Sequence, residues 1–420
     1  MCSKVLAAKL AFRRVYKISN SGYLTETKYI YRNEPTNRKG NLVGGILSSK
    51  IIVAKDLIKW YGKEVLALNR VSFEVDEGDF FVIIGPSGCG KSTLMKVMAG
   101  ILDYEGELYI KGENMKDVPA YKRDVSLMFE TYAVFPHMNV FDNVAFGLRM
   151  LGKDKAEIEH DVKEAIELVG LSGLEKRSPL ELSGGQRQRV ALARSLVIKP
   201  SVLLLDEPLS HVDYILQRKL MEDFKTLHKK LGQTFILTTH VQEHALTLAD
   251  TMMVMNTGVI EQMGTPDDIY CKPRTVFAAR FVGDISLFPG EVTFKEHKEY
   301  LVKTEFGELK ALAPEETDLV GKKLAYGIRP EFVKVGDEAE SCENRYKAKL
   351  VGHYYFGNLV ECVFEIKGGV TMRTTVPPET AINLRLGETY TIGWRSEDAI
   401  LLEKPSVVEG LNIEEVIYGK

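Results

Sequence analysis

Three features are scarce in this chain of 420 residues: long apolar runs, paired cysteines and an excess of either charge. No apolar stretch approaches the roughly 18–20 residues that cross a bilayer, which argues against a channel or permease. The five cysteines form no C-x-x-C pair and are odd in number, which favours a reducing, cytoplasmic compartment over a disulfide framework. The length and the 45% hydrophobic content predict an ordinary globular protein of two or three domains.

The small net charge of −3 conceals an uneven distribution along the chain. Residues 1–50 contain 10 Lys/Arg and only 2 Asp/Glu, whereas the rest of the chain carries a net charge of −11. Because a nucleic-acid-binding protein needs a basic face on its folded part, nucleic acid is not expected as the main ligand. Residues 1–49 are predicted to be a basic, disordered N-terminal extension or a misassigned start. An anchoring or partner-binding arm and an organellar transit peptide are the alternatives.

A glycine-rich loop directly follows an apolar strand pattern. The run FFVII leads into GPSGCGKST, which satisfies G-x-x-x-x-G-K-[ST] between Gly85 and Ser92. This order predicts a strand, a loop whose backbone N–H groups surround phosphate oxygens, and a helix over 93–99. Lys91 is expected on the β- and γ-phosphates and the Ser92 hydroxyl on Mg²⁺, with a plain glycine turn as the alternative. The candidate nucleotide-binding residues here are Gly85, Pro86, Ser87, Gly88, Cys89, Gly90, Lys91, Ser92 and Thr93.

Cys89 has chemistry of its own within this loop. A thiol at a helix N-terminus beside Lys91 is expected to have a lowered pKa, and its alkylation to block phosphate entry. The alternative is that Cys89 is only a small, neutral residue that fits the loop.

A second apolar strand pattern supplies two adjacent carboxylates. Val202–Leu205 are typical of a buried parallel strand, so Asp206 emerges at its carboxyl end, where α/β sheets place their ligands. Asp206 is expected to hold Mg²⁺ through water, and Glu207 is the candidate general base that polarises the attacking water. An adjacent acid pair can also be a solvated turn, but the preceding apolar run and the partner loop favour the functional interpretation.

Between these two strands lies LSGGQRQRVALARSLV. Ser183, Gly184 and Gly185 are predicted to open a helix with exposed N–H groups, a second geometry suited to anions. LSGGQ ends at Gln186, twenty residues before Asp206, and in this context it resembles the ATP-binding-cassette ATPases. The resemblance implies an α/β fold, a P-loop NTPase cassette over residues 50–284 with a helical subdomain at about 133–185.

In that family two cassettes face each other head to tail, and each ATP lies between one subunit's glycine loop and the other's LSGGQ segment. The resemblance therefore implies a second copy of this chain, or a homologous ATPase, as partner. Ser183–Gln186 would bind the γ-phosphate across the interface, and Asp213 would lie in the loop that links the two sites.

Two further residues match functional positions of the family. His240 in ILTTHVQE, 33 residues beyond Glu207, matches the switch histidine at the γ-phosphate. Tyr61 in KWYGK matches the aromatic residue that stacks on adenine. Each has an alternative, because a lone histidine is more often structural and a core aromatic would look identical in the sequence.

Two positions depart from the family pattern. The segment LMFETYAVFPHMNVFDNVAFGL resembles the loop and helical subdomain that meet the permease, but Glu130 replaces the expected Gln. A carboxylate can still coordinate Mg²⁺, although it adds negative charge at the site, so slower turnover or another metal preference is expected. The loop usually written S-A-L-D contains His211, either a tolerated filler or a titratable interface group. Since Glu207 and His240 are intact, an active ATPase is predicted.

After the cassette the chain consists of short alternating runs separated by turn residues, which predict a small all-β, OB-like barrel over 285–405. The runs include GEVTF, EYLVKT, GELKAL, KLAYGI, ECVFEI, VTMRTTV and DAILLE. GIRPE at Gly327–Glu331 resembles the accessory barrel of importer ATPases. Dimerisation and regulation are the expected roles of this barrel, ligand sensing is the alternative, and 406–420 form a tail.

The resemblance also implies partners and cargo. An importer ATPase uses ATP and Mg²⁺ at the cytoplasmic face of the cell membrane, as a peripheral subunit beside integral-membrane permease subunits and an extracytoplasmic solute-binding protein. Local likeness in AVFPHMNVFDNVAFGLRM and FVGDISLF favours a polyamine, spermidine or putrescine, as cargo. Sugar, iron(III), phosphonate or sulfate import is the alternative, as is a catalytically weak regulatory cassette paired with an active one.

Overall fold

The computed structural model describes residues 50–210, 212–313, 317–408 and 412–418. The extension at 1–49 and His211 lie outside these ranges, so the expectations for them stay untested. Within the ranges, no helix combines the length and the apolar content needed to span a bilayer. In chain order the strands are β1 (Lys50–Tyr61), β2 (Val65–Asp76), β3 (Phe80–Ile84), β4 (Glu105–Ile110), β5 (Glu113–Asn114), β6 (Val125–Met128), β7 (Val202–Asp206), β8 (Thr234–Thr239), β9 (Thr251–Asn256), β10 (Val259–Gly264), β11 (Ser286–Glu296), β12 (Glu299–Thr304), β13 (Gly307–Leu312), β14 (Lys323–Ile328), β15 (Lys334–Val335), β16 (Asn344–Tyr355), β17 (Val360–Glu365), β18 (Thr371–Val376), β19 (Thr389–Trp394) and β20 (Ile400–Leu402). The helices are α1 (Lys91–Met98), α2 (Val140–Met150), α3 (Lys155–Leu168), α4 (Gly184–Leu196), α5 (Tyr214–Leu231), α6 (Gln242–Leu248), α7 (Pro266–Cys271), α8 (Val276–Phe281), α9 (Pro378–Ala381) and α10 (Ile413–Tyr418).

A six-stranded sheet of order β10-β9-β3-β8-β7-β6 forms the centre of the first domain. All its pairs are parallel except β9 with β10. Strands β3, β7 and β8 are buried along their whole length, which explains their continuous apolar runs. The register pairs Ile84 with Thr239 and Asp206 with Thr238. The residues that follow β3, β7 and β8 therefore meet at one edge of the sheet.

Two other layers cover this sheet. An antiparallel sheet of order β2-β1-β4-β5 shares one apolar core with the sheet face that carries Phe81 and Ile83 and with helix α1. Helices α2, α3, α4 and α5 share a second core with the opposite face, which carries Phe80 and Val82. The expected α/β cassette with a helical subdomain is confirmed.

The C-terminal domain contains two five-stranded antiparallel sheets, of order β13-β12-β11-β14-β20 and β15-β19-β16-β17-β18. Side chains of both sheets form one core around Tyr326, Phe364 and Trp394. The runs EYLVKT, GELKAL and KLAYGI coincide with β12, β13 and β14. The expected all-β, OB-like second domain is confirmed, although β16 and β19 were not among the runs that predicted it.

Arg329 of the GIRPE motif joins the two domains. Its side chain is 1% exposed and donates three hydrogen bonds to cassette backbone carbonyls, two to Tyr270 at 2.7 and 3.0 Å and one to Asp284 at 3.2 Å. The guanidinium carbon lies 3.8 Å from the centre of the Tyr270 ring, and the Tyr270 hydroxyl donates to Glu331. The buried arginine is thus matched by backbone carbonyls and an aromatic face of the cassette.

The segment after the last barrel strand returns to the cassette. The buried carboxylate of Glu261 on β10 accepts hydrogen bonds from the Thr275 hydroxyl and the Val407 N–H, both at 3.0 Å, and from the Ser406 hydroxyl. The Val276 N–H donates to the Lys404 carbonyl at 3.0 Å. The start of the expected tail, Ser406 and Val407, is therefore bonded to the cassette.

We expect Arg329→Met to lower the free energy of unfolding by about 2 kcal/mol or more, because the buried carbonyls lose their donors. The matched control is Arg345→Met, which removes an exposed ion pair with Glu340 and should change stability by less than about 0.5 kcal/mol. Urea denaturation followed by circular dichroism measures both. Equal stability of the two variants would contradict the role of Arg329.

Candidate active site

The glycine loop connects β3 to α1. Gly90, the N-cap of α1, has φ +106°, and a Cβ there would lie 2.5 Å from the Ala67 carbonyl oxygen. Only glycine fits this position, and it turns the first N–H groups of α1 toward the loop interior. The helix predicted over 93–99 begins at Lys91 and ends at Met98. The loop geometry suits a phosphate group.

Lys91 lies within this loop with only 4% of its surface exposed. Its Nζ donates to the carbonyl oxygens of Gly85 at 2.9 Å and Pro86 at 3.1 Å. The same ammonium is 3.6 Å from Oε1 of Glu207. The loop thus holds a buried positive charge beside the candidate base. An incoming phosphate can compete with Glu207 for the Lys91 ammonium.

Oxygen ligands meet where α1 starts and β7 ends. The Ser92 hydroxyl donates to Asp206 Oδ1 at 2.9 Å, and the Thr238 hydroxyl donates to the same oxygen at 2.8 Å. Glu130 is half-buried two residues beyond β6, the neighbour of β7 in the sheet. Hydroxyl and carboxylate oxygens are the ligands that Mg²⁺ prefers, so Ser92 and Asp206 fit this ion, and Glu130 follows a strand that ends at the same edge.

Glu207 adopts an unusual backbone conformation. Its φ is +44°, in the left-handed region, which costs on the order of 1–3 kcal/mol for a residue with a side chain. Its N–H donates to the Thr238 hydroxyl at 3.0 Å, and its carbonyl accepts from the Ser210 hydroxyl at 2.8 Å. Its carboxylate oxygen Oε2 lies 2.8 Å from His240 Nδ1. The candidate base and the predicted switch histidine are therefore in direct contact.

A second histidine lies close to this pair. His244 on α6 is buried, and burial, together with the nearby His240, lowers the pKa of His244 to about 4. Its Nδ1 is 3.2 Å from the Thr239 hydroxyl. His244 is thus neutral near pH 7, and of the two it is His240 that contacts Glu207.

The LSGGQ segment starts α4, as predicted. The Gln186 N–H donates to the Ser183 hydroxyl at 3.3 Å, and the Ser183 N–H donates to the Gln186 side chain at 2.9 Å, which forms a capping box. Ser183 and Gly184 are exposed. Across the described residues no hydrogen bond joins Ser183–Gln186 to the glycine loop of the same chain, so their predicted role at a second copy's ATP stays a prediction.

Asp213 is the N-cap of α5 and accepts a hydrogen bond from the Leu216 N–H at 3.0 Å. A Cβ on Gly185 would lie 2.9 Å from the Leu216 side chain. The starts of α4 and α5 therefore pack closely together. This structural role for Asp213 leaves its predicted interface role untested.

Tyr61 lies at the end of β1. Its ring is 42% exposed, and its hydroxyl lies 3.3 Å from the Thr93 hydroxyl on α1. The alternative interpretation as a core aromatic is therefore wrong. The exposed ring next to the loop is suitably placed to stack on adenine. This stacking role stays a prediction.

The thiol of Cys89 does not have the pKa shift expected from the sequence. Its side chain is 3% exposed, and burial raises the pKa of the thiol more strongly than Lys91 lowers it. The expected low pKa is wrong because the sequence shows the neighbouring lysine but not the desolvation by packing against β3 and β9. Cys89 thus fits the alternative of a small, neutral loop residue.

Two site residues escaped the sequence analysis, Thr238 and Gln188. Thr238 bonds both Asp206 and Glu207, and the signal for it was a hydroxyl in the buried strand directly before His240. The Gln188 amide donates to the Pro208 carbonyl at 2.7 Å. No spacing rule distinguishes Gln188 from the other polar residues of α4.

Comparison with known proteins agrees with this geometry. The sequence matches the ABC transporter family over residues 68–210 and the TOBE domain over 326–402. The spermidine/putrescine import ATP-binding protein PotA of Trichormus variabilis is 41% identical, over 83% of this chain and 92% of that protein. The PotA proteins of Rubrobacter xylanophilus and Vibrio cholerae are 40% and 37% identical, over 83% and 79% of this chain and 92% and 89% of theirs. Among solved structures, a dimeric post-hydrolysis ATP-binding cassette bound to ADP and Pi is 27% identical, with a TM-score of 0.47, and the match covers 51% of this chain and 98% of that one.

We expect iodoacetamide to alkylate Cys89 more slowly than an unfolded-chain cysteine at pH 7.5, because burial raises the thiol pKa and lowers the thiolate fraction. The rate should rise as the pH rises toward that pKa. Mass spectrometry of the peptide containing Cys89 measures the rate, and the urea-unfolded chain is the control. A rate in the folded protein equal to or above that of the control would contradict the burial argument.

Proposed function

The chain belongs to the ATP-binding proteins of ABC transporters, and from that premise we propose that it hydrolyses MgATP to power polyamine import through a separate membrane permease. The observation that carries the ATPase role is the 2.8 Å contact between Glu207 and His240. This contact lies beside Lys91 and the oxygen pair of Ser92 and Asp206. A base, a cation and a metal-binding pair at one sheet edge are what phosphoryl transfer to water requires.

Each group has a distinct task in this reaction. The N–H groups at the start of α1 and the Lys91 ammonium bind the phosphate oxygens, and Lys91 exchanges the Gly85 and Pro86 carbonyls for the ligand. Glu207 orients the attacking water and accepts its proton, while His240 holds the Glu207 carboxylate and contacts the γ-phosphate. Ser92, Asp206 and Glu130 would hold Mg²⁺, which would supply neutralisation of the phosphate charge.

The reaction requires a second cassette, either a copy of this chain or a homologous ATPase. Ser183 and Gly184 are exposed at the start of α4, where a helix N-terminus can receive a phosphate from another chain. Directly after Asp213, Tyr214 and Ile215 are 59% and 82% exposed. Large apolar side chains at such a place support a protein interface, which would bring the two half-sites together.

The cargo and the partners follow from the relatives. Proteins at 37–42% identity carry the name spermidine/putrescine import ATP-binding protein, which supports a polyamine as the transported molecule. We therefore place the chain at the cytoplasmic face of the cell membrane, peripheral to its permease. An extracytoplasmic solute-binding protein would deliver the polyamine to that permease, and nucleic acid has no part in the cycle.

We expect Glu207→Gln to lower kcat for ATP by at least about 100-fold, because the amide cannot accept the proton of the attacking water. ATP affinity should change little, since the loop and Lys91 are intact. The matched control is Glu159→Gln on α3, an exposed residue that should leave kcat unchanged. A phosphate-release assay and nucleotide binding measure the two quantities.

The same variants test the cargo in cells that carry the intact transporter. Uptake of labelled putrescine or spermidine should fail with Glu207→Gln and continue with Glu159→Gln. Equal, negligible ATP hydrolysis by wild type and Glu207→Gln would instead favour a regulatory cassette. Loss of sugar, iron or sulfate uptake with polyamine uptake intact would refute the polyamine and leave the ATPase role standing.

We expect ATP to bring Ser87 of one protomer close to Ser183 of its partner. Both residues are exposed, so cysteines introduced there are accessible to a bismaleimide. Chains with Ser87→Cys are mixed with chains with Ser183→Cys, both in the Glu207→Gln background that retains ATP. Mass spectrometry should identify the crosslinked peptide pair only when ATP is present.

The control for crosslinking replaces Ser87→Cys by Ser172→Cys, an exposed residue between α3 and α4, and should give no product with Ser183→Cys. A Ser87–Ser183 product that is absent with ATP, or equally strong without it, would rule out the head-to-tail arrangement.

A further inference from the structure

Gln188 lies on α4, five residues beyond Ser183, and is 1% exposed. Its Nε2 donates to the Pro208 carbonyl oxygen at 2.7 Å, which belongs to the residue directly after Glu207. We propose that Gln188 is a positioning residue that holds the Pro208 carbonyl, fixes the backbone directly after Glu207 and so aims the Glu207 carboxylate. The inference rests on the proposed role of Glu207 as the general base.

The backbone at Glu207 needs hydrogen bonds that hold its conformation. Glu207 has φ +44°, a conformation that persists only where the surroundings hold it. On the N-terminal side, the Glu207 N–H donates to the Thr238 hydroxyl at 3.0 Å. On the C-terminal side, the Ser210 hydroxyl donates to the Glu207 carbonyl at 2.8 Å, and the Gln217 amide donates to the Leu209 carbonyl at 2.9 Å. Gln188 supplies the remaining contact from the opposite helix, at the buried carbonyl of Pro208.

The Gln188 amide carries a desolvation cost, and packing alone does not explain why an amide occupies this position. Its Oε1 is buried and has no hydrogen-bond partner among the described residues. A methionine would fill a similar volume without leaving a polar atom unsatisfied. The feature that Gln188 has and methionine lacks is the donor to Pro208, so we assign the amide to that donor.

The contact also joins the base to the helix that carries the LSGGQ segment. Ser183 caps the first turn of α4, Gln188 lies in its second turn, and Arg194 lies in the last. Arg194 donates to the Tyr132 and Ala133 carbonyls at 3.0 and 2.8 Å, just after Glu130. Helix α4 therefore contacts both the Pro208 carbonyl, next to the candidate base, and the loop that follows Glu130. A shift of α4 when Ser183 meets the partner's ATP would move the backbone next to Glu207.

The first test compares Gln188→Met with Gln262→Met. Gln262 is a matched control, since it is also buried and also donates to a backbone carbonyl, that of Lys272 at 3.1 Å, but on β10. We expect Gln188→Met to lower kcat at least ~10-fold while KM and the affinity for a fluorescent ATP analogue in EDTA change less than ~2-fold. Gln262→Met should lower the thermal unfolding midpoint and leave kcat unchanged.

The second test uses Gln188→Glu, which has the same shape. The carboxylate cannot donate to Pro208, but the protonated acid can. The kcat of Gln188→Glu relative to wild type should therefore rise as the pH falls, whereas a purely structural role gives a constant or falling ratio.

Two results would overturn the inference: a normal kcat in Gln188→Met, or a ratio for Gln188→Glu that does not rise at low pH. Glu207→Gln, measured alongside, separates this failure from failure of the proposed function. If wild type hydrolyses ATP and Glu207→Gln does not, the base is confirmed and only the role of Gln188 is wrong. If Glu207→Gln matches wild type, the proposed function itself fails.

Discussion

Parallel pairing of β3, β8 and β7 places three carboxyl ends at one edge of the six-stranded sheet. The glycine loop, the pair Asp206 and Glu207, and His240 each follow one of these ends, although they come from distant parts of the chain. Side chains alternate between the two faces of a strand, so a register shift of one residue would separate Thr238 from Asp206. Backbone pairing in the buried sheet therefore determines whether the site exists, and the side-chain bonds only refine it.

Lys91 and Glu207 form an ion pair at this edge. Lys91 is nearly buried, and its ammonium is shared between two loop carbonyls and Glu207. A triphosphate brings its own negative charge, so it can replace Glu207 as the partner of Lys91. Glu207 would then keep its contact with His240 and become available to water. Under the proposed function, competition for one lysine would thus link substrate binding to activation of the base.

The sequence predicted the elements that a local pattern encodes. Continuous apolar runs predicted β3 and β7, and alternating runs predicted β12, β13 and β14, because the burial of a strand on one or both faces leaves a local pattern in the sequence. Contacts between distant segments had no such signal. The bond from Gln188 to Pro208, and Arg329 on Tyr270, depend on how whole elements pack. The predicted direction of the Cys89 pKa shift was wrong for the same reason, since the desolvation of the thiol depends on how the loop packs.

Hydrogen bonds and the β9–β10 hairpin link the second domain to the glycine loop. The segment that leaves β20 holds Glu261 through Ser406 and Val407, and Glu261 lies on β10. The turn between β9 and β10 contains Gly258, whose N–H donates to the Cys89 carbonyl at 3.0 Å. A displacement of the barrel relative to the cassette would therefore have to strain one of these hydrogen bonds or move the glycine loop. Coupling between the two domains requires an element with two stable arrangements. Glu207, with its positive φ and its contact with Lys91, is the residue of the site where strain is stored next to that loop.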